Sequence, residues 1–296
     1  MSSTTAGISQ VKALLHGWII RQIPIEESDW LDKTIKQIAE QGAEHLLFMA
    51  FSSVPRYTGK DDLQLNDSDL TAANVARPGW DPTQWSLDQA GRALLLLSLP
   101  AEDSHNYHTT LEKLFSAGDV NEQIALYQSL PLLPHPELFV ARAAEGLRTN
   151  MGAVFNAVAL CNPFPGDYFE PLAWNQMILK AVFVGSPLHL IQQLDQRANA
   201  DLARMLSDYA HERWAAGRDV TPELWRLIGP FLNDQLLADV EKALDAPSKP
   251  QKLAAALACA QSSLPAAQEK LQLYPSAQSE VESLDWDRFS QLYLAA

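Results

Sequence analysis

The chain has 296 residues, enough for one large domain or two of ordinary size. Apolar residues make up 47% and charged residues 20%, a globular balance that excludes a disordered tail protein. With 22 Lys and Arg against 36 Asp and Glu the net charge is −14, a field that disfavours nonspecific binding to nucleic-acid backbones or anionic lipid.

Leucine occurs 44 times, against 12 Val and 11 Ile, and no stretch sustains apolar–polar alternation. Leucine keeps its rotamer freedom in a helix, whereas β-branched residues favour sheets, so an all-α fold is expected. Helices are predicted near 8–22, 27–41, 43–53 and 67–76, with the acidic stretch 58–69 as a surface loop. Lys12, His16 and Gly17 interrupt any apolar core at the N-terminus, so no secretion leader is expected. Asp81-Pro82-Thr83-Gln84 pairs a capping acid with an N1 proline and predicts a helix over 83–98. Its apolar run Ala93–Leu97 is far short of the ~20 residues of a spanning helix.

Further helices are predicted near 105–117, 120–130, 137–149 and 151–160, with Gln128–Pro136 (QSLPLLPHP) as a link. Two prolines in Asn162-Pro163-Phe164-Pro165 predict a fixed extended turn rather than a helix. Beyond it the pattern predicts helices near 171–184, 188–194, 200–216, 222–228, 233–245, 250–262, 266–273 and 286–294. Thr221-Pro222-Glu223 and Asn199-Ala200-Asp201 are two of the start signals. Short antiparallel helices with proline links suggest an α-solenoid-like or irregular helical bundle, although no repeat of about 34–45 residues shows. Ala246–Lys252 reads as a linker, which divides the chain into a helical domain over 1–245 and a helical extension over 246–296.

Two helices carry polar groups on apolar faces. Leu172–Val184 is apolar nearly all round, the mark of a buried helix, yet holds Asn175, Gln176 and Lys180. In Asp201–Gly217 a stripe of Leu202, Met205, Leu206 and Tyr209 is expected to face the core. Arg213 lies roughly 20° from Leu202 in its middle, and His211 points the other way. A buried cation needs an anion, supplied either by the protein as an internal clamp or by a ligand. Asn175, Lys180, Tyr209 and Arg213 are expected around one partly buried polar centre, with Asp167, Glu170, Asp195 and Asp208 the nearest acids in sequence. With Trp174, Gln176 and the turn residue Tyr168 these make up the candidate ligand-binding set.

Catalytic signatures are few. His211-Glu212 begins an H-E-x-x-H pattern, but position 215 is Ala. Glu102–His105 supplies a single E-x-x-H, where a di-iron bundle needs two. No P-loop, G-x-S-x-G or G-x-G-x-x-G occurs, and two cysteines make no thiolate zinc site by themselves. No metal or cofactor is expected.

The runs Asn162–Asp167, Ala173–Phe183 (AWNQMILKAVF), Leu202–Arg218 (LARMLSDYAHERWAAGR) and Glu223–Phe231 (ELWRLIGPF) resemble the EboA family. The likeness extends over most of the chain up to about Leu237. It implies a cytoplasmic helical binding or scaffold protein that helps move a secondary-metabolite precursor toward the periplasm. It also implies partners among the products of the same gene cluster, including a membrane prenyltransferase-like protein, and a hydrophobic aromatic metabolite as ligand. It carries over no catalytic residues. The alternative is an enzyme modifying a prenylated or aromatic metabolite, with Lys180, His211 and Glu212 as acid–base groups.

Overall fold

In the computed structural model the described residues run from 2 to 293, with side chains from residue 7. Regular structure there is helical throughout, the one strand-like feature being an isolated antiparallel bridge between Asp62 and Ser86. Among the described residues no helix is long and apolar enough to cross a membrane. The chain divides into two compact units, one ending at Phe169 and one starting at Glu170.

The first unit contains α1 (Ser2–Ile20), α2 (Ile25–Gln41), α3 (Glu44–Thr58), α4 (Asp67–Ala76) and α5 (Leu87–Leu96). It continues with α6 (Ser104–Ala117), α7 (Val120–Ser129), α8 (Val140–Arg148), α9 (Gly152–Ala159) and α10 (Phe164–Tyr168). The centre is α5, where the leucine-rich run Ala93–Leu96 is buried on all sides among α1, α2, α3 and α7. Gly91 lets α3 come close, since a Cβ there would meet Val54 Cγ1 at 2.8 Å. Arg92 and Asp88 are both buried and hydrogen-bond to each other, and Arg92 Nε donates to Phe51 O at 3.2 Å. The helix begins later than the sequence suggested. Asp81 Oδ1 accepts from Thr83 N in a turn, and the operative capping box is Ser86 with Gln89. The loop before α4 is not wholly at the surface, because Leu63 is buried and its amide donates to Trp85 O at 2.8 Å.

The second unit contains α11 (Pro171–Val184), α12 (Ala200–Ala215), α13 (Leu224–Ile228) and α14 (Asp234–Leu244). It is completed by α15 (Lys249–Gln261), α16 (Pro265–Gln272), α17 (Pro275–Val281) and α18 (Trp286–Tyr293). Its centre is α15, on which α13, α14, α16, α17 and α18 pack. Leu253–Cys259 is buried without a break. The alanines of this helix are therefore core residues, small enough for close approach. A Cβ at Gly229 would meet Ala258 Cα at 2.9 Å. The C-terminal segment supplies the middle of this unit. The proline-bearing turn expected after Asn162 is one turn of helix, α10, because Pro165 sits in its first turn where no amide is needed. Asn162 holds it, accepting from Phe164 N and donating to Tyr127 O and Ala157 O.

Candidate functional site

A groove of about 930 Å3 opens in the first unit. Residues Ile8, Ser9 and Lys12 bring one face of α1 to it, a spacing that aligns side chains one helical turn apart. Opposite lie the link that follows α5, Leu97–Glu102, and the link Pro134–Glu137. Both links exist because proline stops the preceding helix. Tyr107 Oη donates to Leu96 O at the end of α5 at 3.2 Å, and His135 Nε2, 2.9 Å from Ala101 O, joins the two links. His135 adopts the left-handed region, φ 55° and ψ 47°, between two prolines. Such a conformation costs on the order of 1–3 kcal/mol and persists only where packing over-determines it. The walls are mostly apolar, contributed by Ile8, Leu97, Leu99, Pro100 and Pro134.

Among the described residues one Lys or Arg lines this groove. Lys12 follows the buried Val11 on α1, and its own side chain is half-buried. Burial lowers its pKa below the ordinary 10.5, with no neighbouring carboxylate acting against the shift. Two further charged residues line the groove, Glu102 and Glu137, and both are exposed.

The seven residues singled out in the sequence sit elsewhere. The five concavities described for the structure are lined by none of them. Tyr168 ends α10 and packs its ring on Phe164, centroids 4.8 Å apart. In the second unit Trp174 is fully buried, with Arg197 Cζ 4.8 Å from its ring centre and no partner for its Nε1. Asn175 exchanges two hydrogen bonds with Asn199, the N-cap of α12, at 3.1 and 2.8 Å. Gln176 is exposed, and Lys180 and Tyr209 are half-buried. Arg213 Nε donates to Asp219 O at 2.9 Å, fastening the C-terminal end of α12. Asn175 and Arg213 thus attach to opposite ends of α12, separated by 14 residues or about 21 Å at 1.5 Å per residue. The expected shared polar centre does not form, and both groups act as helix-end fasteners.

The reason is the phase of α12. Its buried face is Leu202, Ala203, Leu206, Ser207 and Ala210, so small residues displace Met205, Tyr209 and Arg213 to the margin. This phase turns His211 toward α14, where Nε2 lies 2.5 Å from Asp239 Oδ1, while Ser207 Oγ donates to Asp239 Oδ2 at 2.6 Å. The carboxylate stands between hydroxyl and imidazole, so His211 is not placed to take the Ser207 proton as a nucleophile's base. The i, i+4 spacing of Ser207 and His211 was legible, but Asp239, 28 residues beyond His211, was not. A second buried carboxylate, Glu223, accepts from Leu188 N at 2.9 Å, His189 N at 2.8 Å and Ser290 Oγ at 3.2 Å. Near it Arg226 makes a two-point pair with Asp195, Nε–Oδ1 and Nη2–Oδ2 both 2.6 Å. Burial opposes the charge on Arg226, but Asp195, Asp287 and Glu223 raise its pKa nonetheless.

Both thiols are kept protonated. Burial, aided by Asp81, pushes Cys161 up to about 12, and burial with Glu241 does the same to Cys259. Among the described residues no three His, Cys, Asp or Glu side chains are grouped to hold a metal ion.

The sequence profile of a family described as metabolite traffic protein EboA matches residues 11–229. The chain belongs to the EboA family. The matched span holds every groove residue except Ile8 and Ser9, and ends where Gly229 packs against α15. No curated protein and no solved structure matches the chain. Membership makes it a metabolite traffic protein by family, with a helical fold.

Proposed function

We propose that this EboA-family chain carries a small apolar metabolite, unaltered, in the groove between α1 and the two proline-bearing links. The carriage serves export of a metabolite precursor from the cytoplasm toward the periplasm. It delivers to products of the same gene cluster, a membrane prenyltransferase-like protein among them. The observation that carries this reading is the groove itself. Its volume of about 930 Å3 lies within the ~300–1,000 Å3 of small-molecule sites, and apolar walls with few polar groups are the usual lining of such sites. Traffic is the family's description, and a carrier needs a cavity more than a nucleophile. The protonated thiols and the central position of Asp239 accord with that.

Titration with the neutral fluorophore Nile red tests it. Saturable binding of one dye per chain is expected. Ala101→Trp, which adds bulk to the groove wall, weakens it at least tenfold. Unsaturable binding, or equal affinity in the variant, overturns the reading.

A further inference from the structure

We infer that the occupant of this groove is an apolar body ending in a single carboxylate, held by the ammonium of Lys12. The inference rests on the groove being the ligand site. Three arginines of the same unit that are largely withdrawn from water each have a protein acid: Arg92 has Asp88, Arg77 has Asp167 and Arg142 has Glu112. Even the exposed Lys113 meets Glu44 at 2.6 Å. Lys12 has no such partner among the described residues, and residues 1–6 contain no acid that could reach back to it. In a chain with 36 acidic residues, a half-buried cation that pairs with none of the described ones is open to an outside anion.

The surroundings restrict which anion fits. Apolar walls on α1 and both links favour a hydrocarbon or aromatic body over a sugar or nucleotide. Glu102 and Glu137 line the same groove, both exposed to water, and they disfavour any negative charge that is not neutralised at the Lys12 ammonium, so a second charge on the ligand is excluded. A monocarboxylate meets both conditions, whereas a phosphate monoester or pyrophosphate does not. Binding would restore a partner to the ammonium, so Lys12 becomes harder to deprotonate when the site is filled.

Pyrenebutanoate and its amide differ in that one charge and report binding by fluorescence. At pH 7 the acid is expected to bind at least tenfold more tightly than the amide. Lys12→Met keeps the unbranched stem to within one atom and removes the charge, so it should abolish the preference of acid over amide. In the wild type the preference should also fade as pH rises through the Lys12 pKa, below 10.5. Equal affinity for acid and amide, or a preference that survives in Lys12→Met, overturns the charge assignment. Amide binding that Ala101→Trp weakens, without preference for the acid, overturns that assignment alone. Failure of the wild type to bind either probe overturns the groove reading as well.

Discussion

Lys12 in the first unit and Arg226 in the second are both cations partly withdrawn from water beside a concavity, and they are wired differently. The concavity at Arg226 holds about 380 Å3, but Asp195 already takes the guanidinium at two points and Asp287 approaches to 3.5 Å. Further anions would meet the acids of its own wall, Asp285 and Asp287 among them. At Lys12 the cavity is about 930 Å3, and among the described residues no carboxylate pairs with the ammonium, Glu102 and Glu137 being exposed elsewhere on the lining. A cation satisfied from within ties helices together, and a cation left over in a roomy apolar groove is available to a ligand. The same test sorts the polar residues of α11 and α12, where Asn175 and Arg213 find backbone or amide partners and fasten helix ends.

The sharpest way to break this comparison is to remove a charge that it treats as internal. Glu223→Ala strips a buried acceptor from two backbone amides and Ser290, at a cost of about 3–5 kcal/mol. Urea unfolding should show that loss, while Lys12→Met should leave the midpoint nearly unchanged. A Lys12→Met variant as unstable as Glu223→Ala would make Lys12 a structural residue.

Chemical labelling sharpens it at the level of single side chains. Because burial lowers the Lys12 pKa, more of its amine is neutral at a given pH than on an ordinary surface lysine. Acetylation followed by peptide mass spectrometry should therefore find Lys12 modified from a lower pH in the folded chain than in the unfolded one, with protection by pyrenebutanoate. Cys161 and Cys259, held up at about 12, should react with iodoacetamide at pH 8 at least a hundredfold more slowly than after unfolding. Ready labelling of either thiol in the folded chain would place a second nucleophile in the molecule.

The smallest effect belongs to Ser207→Ala. It removes one hydrogen bond to Asp239 and should cost about 1 kcal/mol in urea without altering probe affinity. A loss of probe binding in that variant would shift attention from the first unit to α12 and α14.

Much of the helical order was legible because capping and punctuation are local. Asn199 caps α12 and Asp119 caps α7 as short-range chemistry dictates. Errors arose where a local signal had more than one outlet. Asp81-Pro82 makes a turn ahead of the Ser86 box, Pro165 is accommodated in a first helical turn, and α17 went unread between two polar stretches. The phase of α12 failed for a tertiary reason. Small residues let α14 approach, so Ala203, Ser207 and Ala210 took the face that Met205 and Tyr209 had been expected to fill. The groove was invisible in one dimension, since Lys12, Leu99 and His135 meet only when two links fold back on α1. Lys12 was noticed, but only as an interruption of an apolar stretch.

Hydrogen–deuterium exchange of the full chain, with and without saturating pyrenebutanoate, tests the central claim most directly. The account predicts slowed exchange along the groove side of α1 and in residues 97–102 and 134–138, with the second unit unchanged. Protection concentrated on α11 and α12, or none in the first unit despite bound probe, would contradict it.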